Sequence, residues 1–144
     1  MRFFFYGTLL DGSDNPVARA IHALLEPEGP AVATGSLYAV ADAAGWFPAL
    51  LPGSGQVHGR SYRTLAGFSP ADLARMDAYE DFDPATPDAS LYLRTELPLI
   101  SGGTAQAYLF NQPLPPESQE IPHGDFRRWL AETDRRQFTG LREA

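Results

Sequence analysis

The chain contains 144 residues, a length at which one hydrophobic core can be stable without disulfides or bound metal ions. It has no cysteine, and all 11 of its basic residues are arginine, which excludes disulfides, thiolate zinc sites, thiol nucleophiles, Schiff-base lysines and a complete phosphate-binding P-loop. Because 18 acidic residues give a net charge of −7, the surface repels nucleic-acid phosphates.

The first predicted strand covers residues 2–6 and is followed by a loop at 7–14. A helix is predicted next, with Asn15 as its N-cap and Pro16 at its first position, and Gly29-Pro30 is expected to end it. Its apolar positions are expected to face inward: Val17, Ile21, Leu24 and Leu25.

Two further strands are predicted at 32–40 and 57–65, where β-branched and aromatic residues recur between glycine-rich turns. The second helix, at about 69–80, has the clearest start in the chain. Ser69 is its expected N-cap, and Asp72 completes a pattern that resembles a capping box.

The acidic, proline-bearing segment 81–90 is predicted to be a loop, and strands at 91–100 and 104–110 are joined by the turn signal Gly102-Gly103. A last helix carries apolar residues at helical spacing: Phe126, Trp129 and Leu130. Strands and helices that do not strictly alternate are typical of an α+β domain, and a mixed or antiparallel sheet of this kind is able to curl into a small barrel. We expect one domain, 1–144.

No segment has the length or composition of a membrane span or a secretory signal, since Tyr6-Gly7-Thr8 interrupts the apolar start and no small-residue cleavage site follows. We therefore expect a cytoplasmic protein with neither a membrane nor a nucleic-acid partner. The three histidines are far apart in sequence, and neither a G-x-S-x-G nor a G-x-G-x-x-G motif is complete. No metal site is predicted.

The most informative carboxylate is Glu80. It shares a helix face with Leu73 and Met76, and this face is the apolar one. Two interpretations remain open: Glu80 forms a salt bridge with an arginine at the helix end, or burial makes it an effective proton acceptor. Asp77 lies toward the same face and is either the functional carboxylate or the partner that positions a neighbour.

The second feature is the segment Tyr6-Gly7-Thr8-Leu9, which directly follows the first strand. A glycine at a strand end allows consecutive backbone N–H groups to approach a ligand and to bind a carboxylate or an oxyanion. An ordinary strand-to-loop turn gives the same local pattern.

These features belong to an ordered series of short motifs: Y-G-T-L at 6–9, G-S-L-Y at 35–38, F-P-A-L at 47–50, V-H-G-R-S-Y at 57–62, M-D-A-Y-E at 76–80, Y-L-R at 92–94 and A-Y at 107–108. In order and spacing this series resembles the γ-glutamylcyclotransferase-like family, which includes the γ-glutamylamine cyclotransferases. The resemblance covers residues from about 3 to 110. It implies a small mixed, mostly antiparallel β-barrel flanked by helices.

The resemblance also implies a reaction that needs no cofactor. In it, the free α-amine of a γ-glutamyl group attacks its own γ-carbonyl, which gives 5-oxoproline and a released amine or amino acid. Glu80 is then the catalytic proton acceptor, Tyr108 lines the pocket, and four residues hold the small-molecule γ-glutamyl substrate: Tyr6, Gly7, Thr8 and Leu9.

The chain departs from the family pattern after the glutamate, where many relatives have glycine and this chain has Asp81. The acidic segment 81–90 is expected near the pocket mouth, where it would favour leaving groups that are amines or cationic amino acids. Two other functions remain open: a non-catalytic small-molecule binding module of the same fold, and a carboxylate-based amide hydrolase. The sequence does not identify the leaving group or the oligomeric state.

Overall fold

The computed structural model describes residues 1–7 and 16–138. Within these ranges the chain forms six strands: β1 (Arg2–Phe5), β2 (Leu25–Asp42), β3 (Gly45–Thr64), β4 (Tyr92–Pro98), β5 (Thr104–Phe110) and β6 (Gln119–Glu120). It also forms three α-helices: α1 (Pro16–His22), α2 (Pro70–Tyr79) and α3 (Phe126–Thr133). A short 3-10 helix, Pro87–Ala89, precedes β4.

The strands form one mixed sheet in the order β4-β5-β1-β3-β2-β6. β1 runs parallel to β5, while the β1–β3, β2–β3, β2–β6 and β4–β5 pairs are antiparallel. The sheet curls into a half-barrel, so that Ala33 of β2 forms an isolated bridge with Leu99, just beyond β4. The predicted α+β class, with a small, mostly antiparallel barrel-like sheet flanked by helices, is confirmed.

The largest error of the sequence prediction concerns the end of the first helix. Helix α1 ends at His22, and Leu25, predicted on that helix, begins β2. Gly29-Pro30 therefore lies inside a strand rather than at a helix end. The strand tolerates this pair because the β2–β3 register shifts between Pro27 and Gly29, where Gly29 has a φ of 106°. The predicted N-cap, Asn15, lies outside the described residues.

β2 and β3 form one long hairpin, which contains the strand predicted at 32–40 and all but the last residue of the strand predicted at 57–65. The sequence did not predict that β3 begins as early as Gly45, because Pro48 and Pro52 interrupt the strand pattern there. The two-residue strand β6 was also missed, since it lies in a proline-rich stretch. The β4–β5 hairpin with its Gly102-Gly103 turn matches the prediction.

Helix α2 begins as its sequence predicts. The Ser69 Oγ accepts a hydrogen bond from the Asp72 N–H, and the Ser69 N–H donates to the Asp72 carboxylate at 2.8 Å, which completes a capping box. The start fixes the rotation of the helix, so that Met76, Asp77 and Glu80 are all buried. Helix α2 thus carries two carboxylates into the protein one turn apart.

The alternation of side chains along β1 divides the core into two clusters. Phe3 and Phe5 pack on the sheet face that also receives side chains from α1 and α2, whereas Phe4 and Tyr6 pack in the cluster that includes Phe126 of α3. The end of β1 therefore lies between two differently covered regions of the sheet. Among the described residues, no helix has both the length and the hydropathy needed to cross a bilayer.

Candidate active site

A small cavity lies where β1 and α2 both end. Its volume is about 20 Å³, close to the space that one ordered water occupies. The described residues that line it come from five elements or their ends: Phe4, Phe5, Tyr6, Gly7, Pro48, Glu80, Tyr92 and Tyr108. Aromatic rings thus surround a single acidic side chain, that of Glu80, next to the backbone of Gly7.

Close packing against Pro48 requires glycine at position 7. A Cβ atom at Gly7 would lie 2.2 Å from the Cγ of Pro48, far inside van der Waals contact. Pro48 is held in turn by Tyr92, whose hydroxyl donates a 2.6 Å hydrogen bond to the Pro48 carbonyl. The main chain of Gly7 can therefore border the cavity only because it carries no side chain.

Glu80 occupies the C-cap position of α2 and is only 6% exposed. Its backbone N–H donates to the carbonyls of Met76 and Asp77, each at 3.1 Å, so the helix end fixes where its side chain begins. The next residue, Asp81, has a φ of 53°, which turns the chain sharply away from the helix. Burial among aromatic rings disfavours the charged form of a carboxyl group and makes it a better proton acceptor.

Asp77 forms the centre of a hydrogen-bonded network beside the cavity. Its Oδ1 accepts from the Arg94 Nε at 2.9 Å and from the Tyr108 hydroxyl at 2.7 Å. Arg94 also donates from its Nη1 to the Gln106 side chain at 3.1 Å. The arginine pairing that was one interpretation for Glu80 is thus observed at Asp77, one turn earlier on the same helix.

Tyr108 connects this network to the cavity. Burial raises the pKa of its hydroxyl far above the usual value of 10.0, and the charges of Asp77 and Glu80 and the hydrogen bond to Asp77 raise it further. Tyr108 is therefore a neutral phenol at every physiological pH. Its backbone carbonyl accepts a hydrogen bond from the Tyr6 hydroxyl, which ties the end of β1 to β5.

The structure brings together most of the residues that the sequence singled out. Tyr6, Gly7, Glu80 and Tyr108 line the same cavity, whereas Thr8 and Leu9 lie outside the described residues. Sequence reasoning missed three contributors to the surroundings of this cavity: Pro48, Tyr92 and Arg94. Each stands in one of the short motifs quoted above, F-P-A-L or Y-L-R, so the motifs marked them without revealing their contacts.

A much larger cleft, of about 540 Å³, lies near the start of α3. It is lined by backbone and side chains from β2, β3, the β4–β5 turn and α3, including three arginines: Arg60, Arg127 and Arg128. Tyr6 is the one described residue that borders both this cleft and the small cavity. Although this cleft is the larger space, Glu80 does not line it.

The acidic segment 81–90 borders a third depression, of about 480 Å³, which Asp81, Asp83 and Ser90 help to line. None of the residues of this segment lines the small cavity among those the structure describes. Within residues 1–7 and 16–138, no three histidine, aspartate or glutamate side chains are arranged to hold a metal ion.

Comparison with known structures identifies the fold. The chain is 26% identical to an AIG2-like protein from Mus musculus, with a TM-score of 0.60 over 87% of this chain and 86% of that one. It is also 26% identical to ytfP from Escherichia coli, with a TM-score of 0.59 over 88% of this chain and 96% of that one.

An allophanate hydrolase from Kluyveromyces lactis shares the fold at 13% identity, with a TM-score of 0.70 over 92% of this chain but only 21% of that one. A comparison with curated proteins gave no match. The model of the family described as gamma-glutamyl cyclotransferase, AIG2-like, matches residues 3–128. Since this match spans well over half of the chain, the protein belongs to the AIG2-like gamma-glutamyl cyclotransferase family.

Proposed function

We propose that the protein is a cyclotransferase that converts a γ-glutamyl amine or amide to 5-oxoproline and a free amine or amino acid. In this reaction the α-nitrogen forms a bond to the γ-carbonyl carbon, and the bond from that carbon to the leaving nitrogen breaks. The observation that carries the proposal is a buried carboxylate, Glu80, that shares one cavity with Gly7. Members of the family are typically cyclotransferases.

Glu80 serves as the general base and then as the general acid. An α-ammonium group is not nucleophilic until it loses a proton, and a carboxylate within hydrogen-bond reach accepts that proton. After the nitrogen attacks, the same carboxyl group donates the proton to the departing amine. The buried position of Glu80 supports both steps, because a poorly solvated carboxylate holds a proton more readily than an exposed one.

The remaining cavity residues fold and hold the substrate. Backbone N–H groups at and after Gly7 bind the substrate carboxylate or stabilise the tetrahedral oxyanion, in the segment Tyr6, Gly7, Thr8 and Leu9. Tyr108 and the other aromatic side chains exclude water around the bent glutamyl chain. Since the attack is intramolecular, holding the chain in its reactive shape supplies much of the rate.

The cavity holds about one water, and a γ-glutamyl group is larger. Substrate binding therefore displaces this water and requires the lining side chains to move apart.

The experiment that tests the proposal is Glu80→Gln, which keeps the size of the side chain but removes its proton acceptor. We expect release of 5-oxoproline to fall by about 10²–10⁴-fold, the usual scale for general acid–base catalysis. Circular dichroism and thermal unfolding should show a folded protein. Glu96→Gln is the matched control, because Glu96 is an exposed carboxylate on β4, and its rate should equal that of the wild type.

Comparable rates for the wild type and Glu80→Gln would contradict the mechanism. Product analysis separates cyclisation from the alternative of hydrolysis, since hydrolysis of a γ-glutamyl amide yields free glutamate instead of 5-oxoproline. Thermal stabilisation by γ-glutamyl compounds without turnover would identify a binding module of the same fold.

The leaving group is proposed to be an amine or a cationic amino acid, because the segment that follows Glu80 carries three aspartates, at positions 81, 83 and 88. None of these aspartates lines the cavity, but Asp81 directly follows Glu80, and negative charge beside a site attracts a cationic leaving group and repels an anionic one. Rates with γ-glutamyl-lysine and γ-glutamyl-glutamate should differ in favour of the lysine compound. Equal rates would contradict this part of the proposal.

A further inference from the structure

The hydroxyl of Tyr108 has a single proton to donate, and the structure shows where it goes. The Tyr108 oxygen lies 2.7 Å from the Oδ1 of Asp77. Asp77 is 5% exposed and is paired with Arg94, whose Nε lies 2.9 Å from the same oxygen. A carboxylate paired in this way is an acceptor only, so the hydrogen bond must run from Tyr108 to Asp77.

Because the Tyr108 proton points to Asp77, only the lone pairs of the Tyr108 oxygen are left to bind a group in the cavity. A phenol with its proton committed accepts hydrogen bonds but does not donate a second one. An α-ammonium group carries three protons and needs acceptors when it is taken out of water. The Tyr108 oxygen and the Glu80 carboxylate together offer such acceptors in one cavity.

We propose that Asp77 is a positioning residue for the cyclisation: it holds the Tyr108 hydroxyl as an acceptor for the substrate's α-ammonium group and prevents it from donating to Glu80. This inference rests on the proposed function and adds a second carboxylate to the site. Arg94 keeps the arrangement in place, because its guanidinium compensates the charge of Asp77 away from the cavity.

The effect on Glu80 follows from hydrogen-bond direction. A hydroxyl that donated to the Glu80 carboxylate would stabilise its ionised form and weaken it as a base. With the proton held by Asp77, that stabilisation is absent, and the negative charge of Asp77 itself makes Glu80 hold a proton more tightly. Asp77 therefore increases the basicity of Glu80 without touching the reacting atoms.

Other polar groups around Glu80 come from each of the elements packed near it. They include Asp77 on α2, Asp81 after it, Arg94 and Tyr92 on β4, Tyr108 on β5 and Tyr6 after β1. Tyr92 and Tyr6 direct their protons to the carbonyls of Pro48 and Tyr108. Three tyrosine hydroxyls near the site are thus committed to acceptors other than Glu80.

The test is a pH titration of the Glu80 carboxyl group by ¹³C NMR, with the resonance assigned through Glu80→Gln. Replacing Asp77 with leucine, which is close to it in size, removes both its charge and its hydrogen-bond acceptors and so releases the Tyr108 proton. We expect the titration midpoint of Glu80 to fall by about one pH unit, the scale on which a neighbouring charge acts. The acidic limb of kcat/KM for 5-oxoproline release should move to lower pH by the same amount.

Tyr108→Phe separates the two possible directions of the hydrogen bond. If the hydroxyl donates to Asp77, its removal leaves the Glu80 midpoint where it was and raises KM, because an acceptor for the ammonium group is lost. If the hydroxyl donated to Glu80, its removal would raise the midpoint, and that result would overturn the proposal. An unchanged midpoint in Asp77→Leu would overturn it as well.

Two further variants guard against misfolding. Asp77→Leu leaves Arg94 buried without its partner, so the paired variant Asp77→Leu/Arg94→Met removes both charges and leaves no acceptor at either position. It should still lower the Glu80 midpoint, because Tyr108 is free to donate, and adding Tyr108→Phe should abolish that shift. Glu132→Gln is the control: it removes the charge of an exposed carboxylate that is paired with Arg128 on α3, and it should leave the midpoint unchanged.

The titration keeps this inference separate from the proposed function. A wild-type protein that releases no 5-oxoproline from any γ-glutamyl compound would contradict the proposed function. The NMR midpoints would still report whether Asp77 holds the Tyr108 proton. Conversely, normal turnover by the wild type together with an unshifted midpoint in Asp77→Leu would overturn the role of Asp77 alone.

Discussion

The small cavity at Glu80 and the large cleft beside α3 differ in almost every property that is used to find an active site. The cleft is more than twenty times larger and collects three of the chain's 11 arginines. The cavity has room for about one water, but it holds a buried carboxylate, a glycine backbone and a ring of aromatic side chains. Tyr6 separates the two spaces.

The small cavity is the proposed reacting region because of its chemistry, although the cleft has the larger volume. In the cavity the polar groups are buried and held: Asp77 by Arg94, and the Pro48 carbonyl by Tyr92. In the cleft, Arg127 and Arg128 are exposed, and Arg128 forms an ion pair with Glu132 on the helix surface. A fixed group in a dry environment acts on a substrate more strongly than a mobile group in water.

Of the variants that compare the two regions, Gly7→Ala is expected to have the largest effect on activity. The new Cβ would lie 2.2 Å from Pro48, so the backbone must shift away from the cavity. We expect kcat/KM for 5-oxoproline release to fall by about 100-fold or more, since misplacing a site by an ångström costs that much. Gly67→Ala is the control, because its Cβ would meet its nearest neighbour, Leu24, at 3.9 Å.

Wild-type activity in Gly7→Ala would show that the backbone at Gly7 does not border the reacting atoms. A crystal structure of this variant would then be expected to show Pro48 displaced rather than residue 7. A loss in Gly67→Ala equal to that in Gly7→Ala would instead indicate a general effect of added side chains.

A second, smaller effect concerns the support behind the cavity. Tyr92→Phe removes the 2.6 Å hydrogen bond to the Pro48 carbonyl and leaves that buried oxygen without this donor. We expect the free energy of unfolding to fall by about 1–2 kcal/mol in urea titrations. Tyr38→Phe, at a partly exposed tyrosine on β2, should change it by less than about 0.5 kcal/mol. Equal losses in the two variants would contradict a specific role for the Tyr92 hydroxyl.

The sequence predicted those parts of the fold and site that depend on local patterns. The Ser69 and Asp72 capping box sets the rotation of α2, and this local feature was enough to place Glu80 on a buried face. The contact between Gly7 and Pro48 could not be predicted from a local pattern. It depends on long-range pairing of β1 with β3, at a sequence separation that no local pattern encodes.

The end of the first helix could not be predicted for a similar reason. Leu25 fits the apolar face of a helix as well as it fits a strand, and its pairing with Thr64 on β3 decides between them. The partners of Asp77 could not be predicted either, because Arg94 and Tyr108 reach it from two different strands. Local sequence fixes which way a side chain faces, whereas tertiary pairing decides what it meets.

A third prediction concerns how the stability contributed by the Ser69–Asp72 capping box depends on pH. This capping box begins α2, the helix that carries Glu80. Hydrogen bonds from the backbone and side chain of Ser69, and then Arg75, lower the pKa of Asp72 below its ordinary value of 3.8. A lowered folded-state pKa means that the stabilisation is present above the unfolded value and is lost as pH falls through the folded value. Asp72→Asn should therefore have a lower melting temperature than the wild type at neutral pH, and the gap should narrow in acid. A gap that stays constant down to strongly acidic pH would contradict this origin.

The smallest effect is expected in the cleft, where Arg127→Gln/Arg128→Gln removes two of its three arginines. Both side chains are exposed, and substitutions at such positions change free energies by about 0.5 kcal/mol or less, which corresponds to about a twofold change in rate. We therefore expect kcat/KM for 5-oxoproline release to stay within about twofold of the wild type. Because Tyr6 borders both spaces, a tenfold or larger loss would mean that the substrate extends past this ring into the cleft. The two regions would then be two ends of one binding site, with the reacting bond at Glu80 and the leaving group among the arginines, and this would contradict the proposed preference for a cationic leaving group.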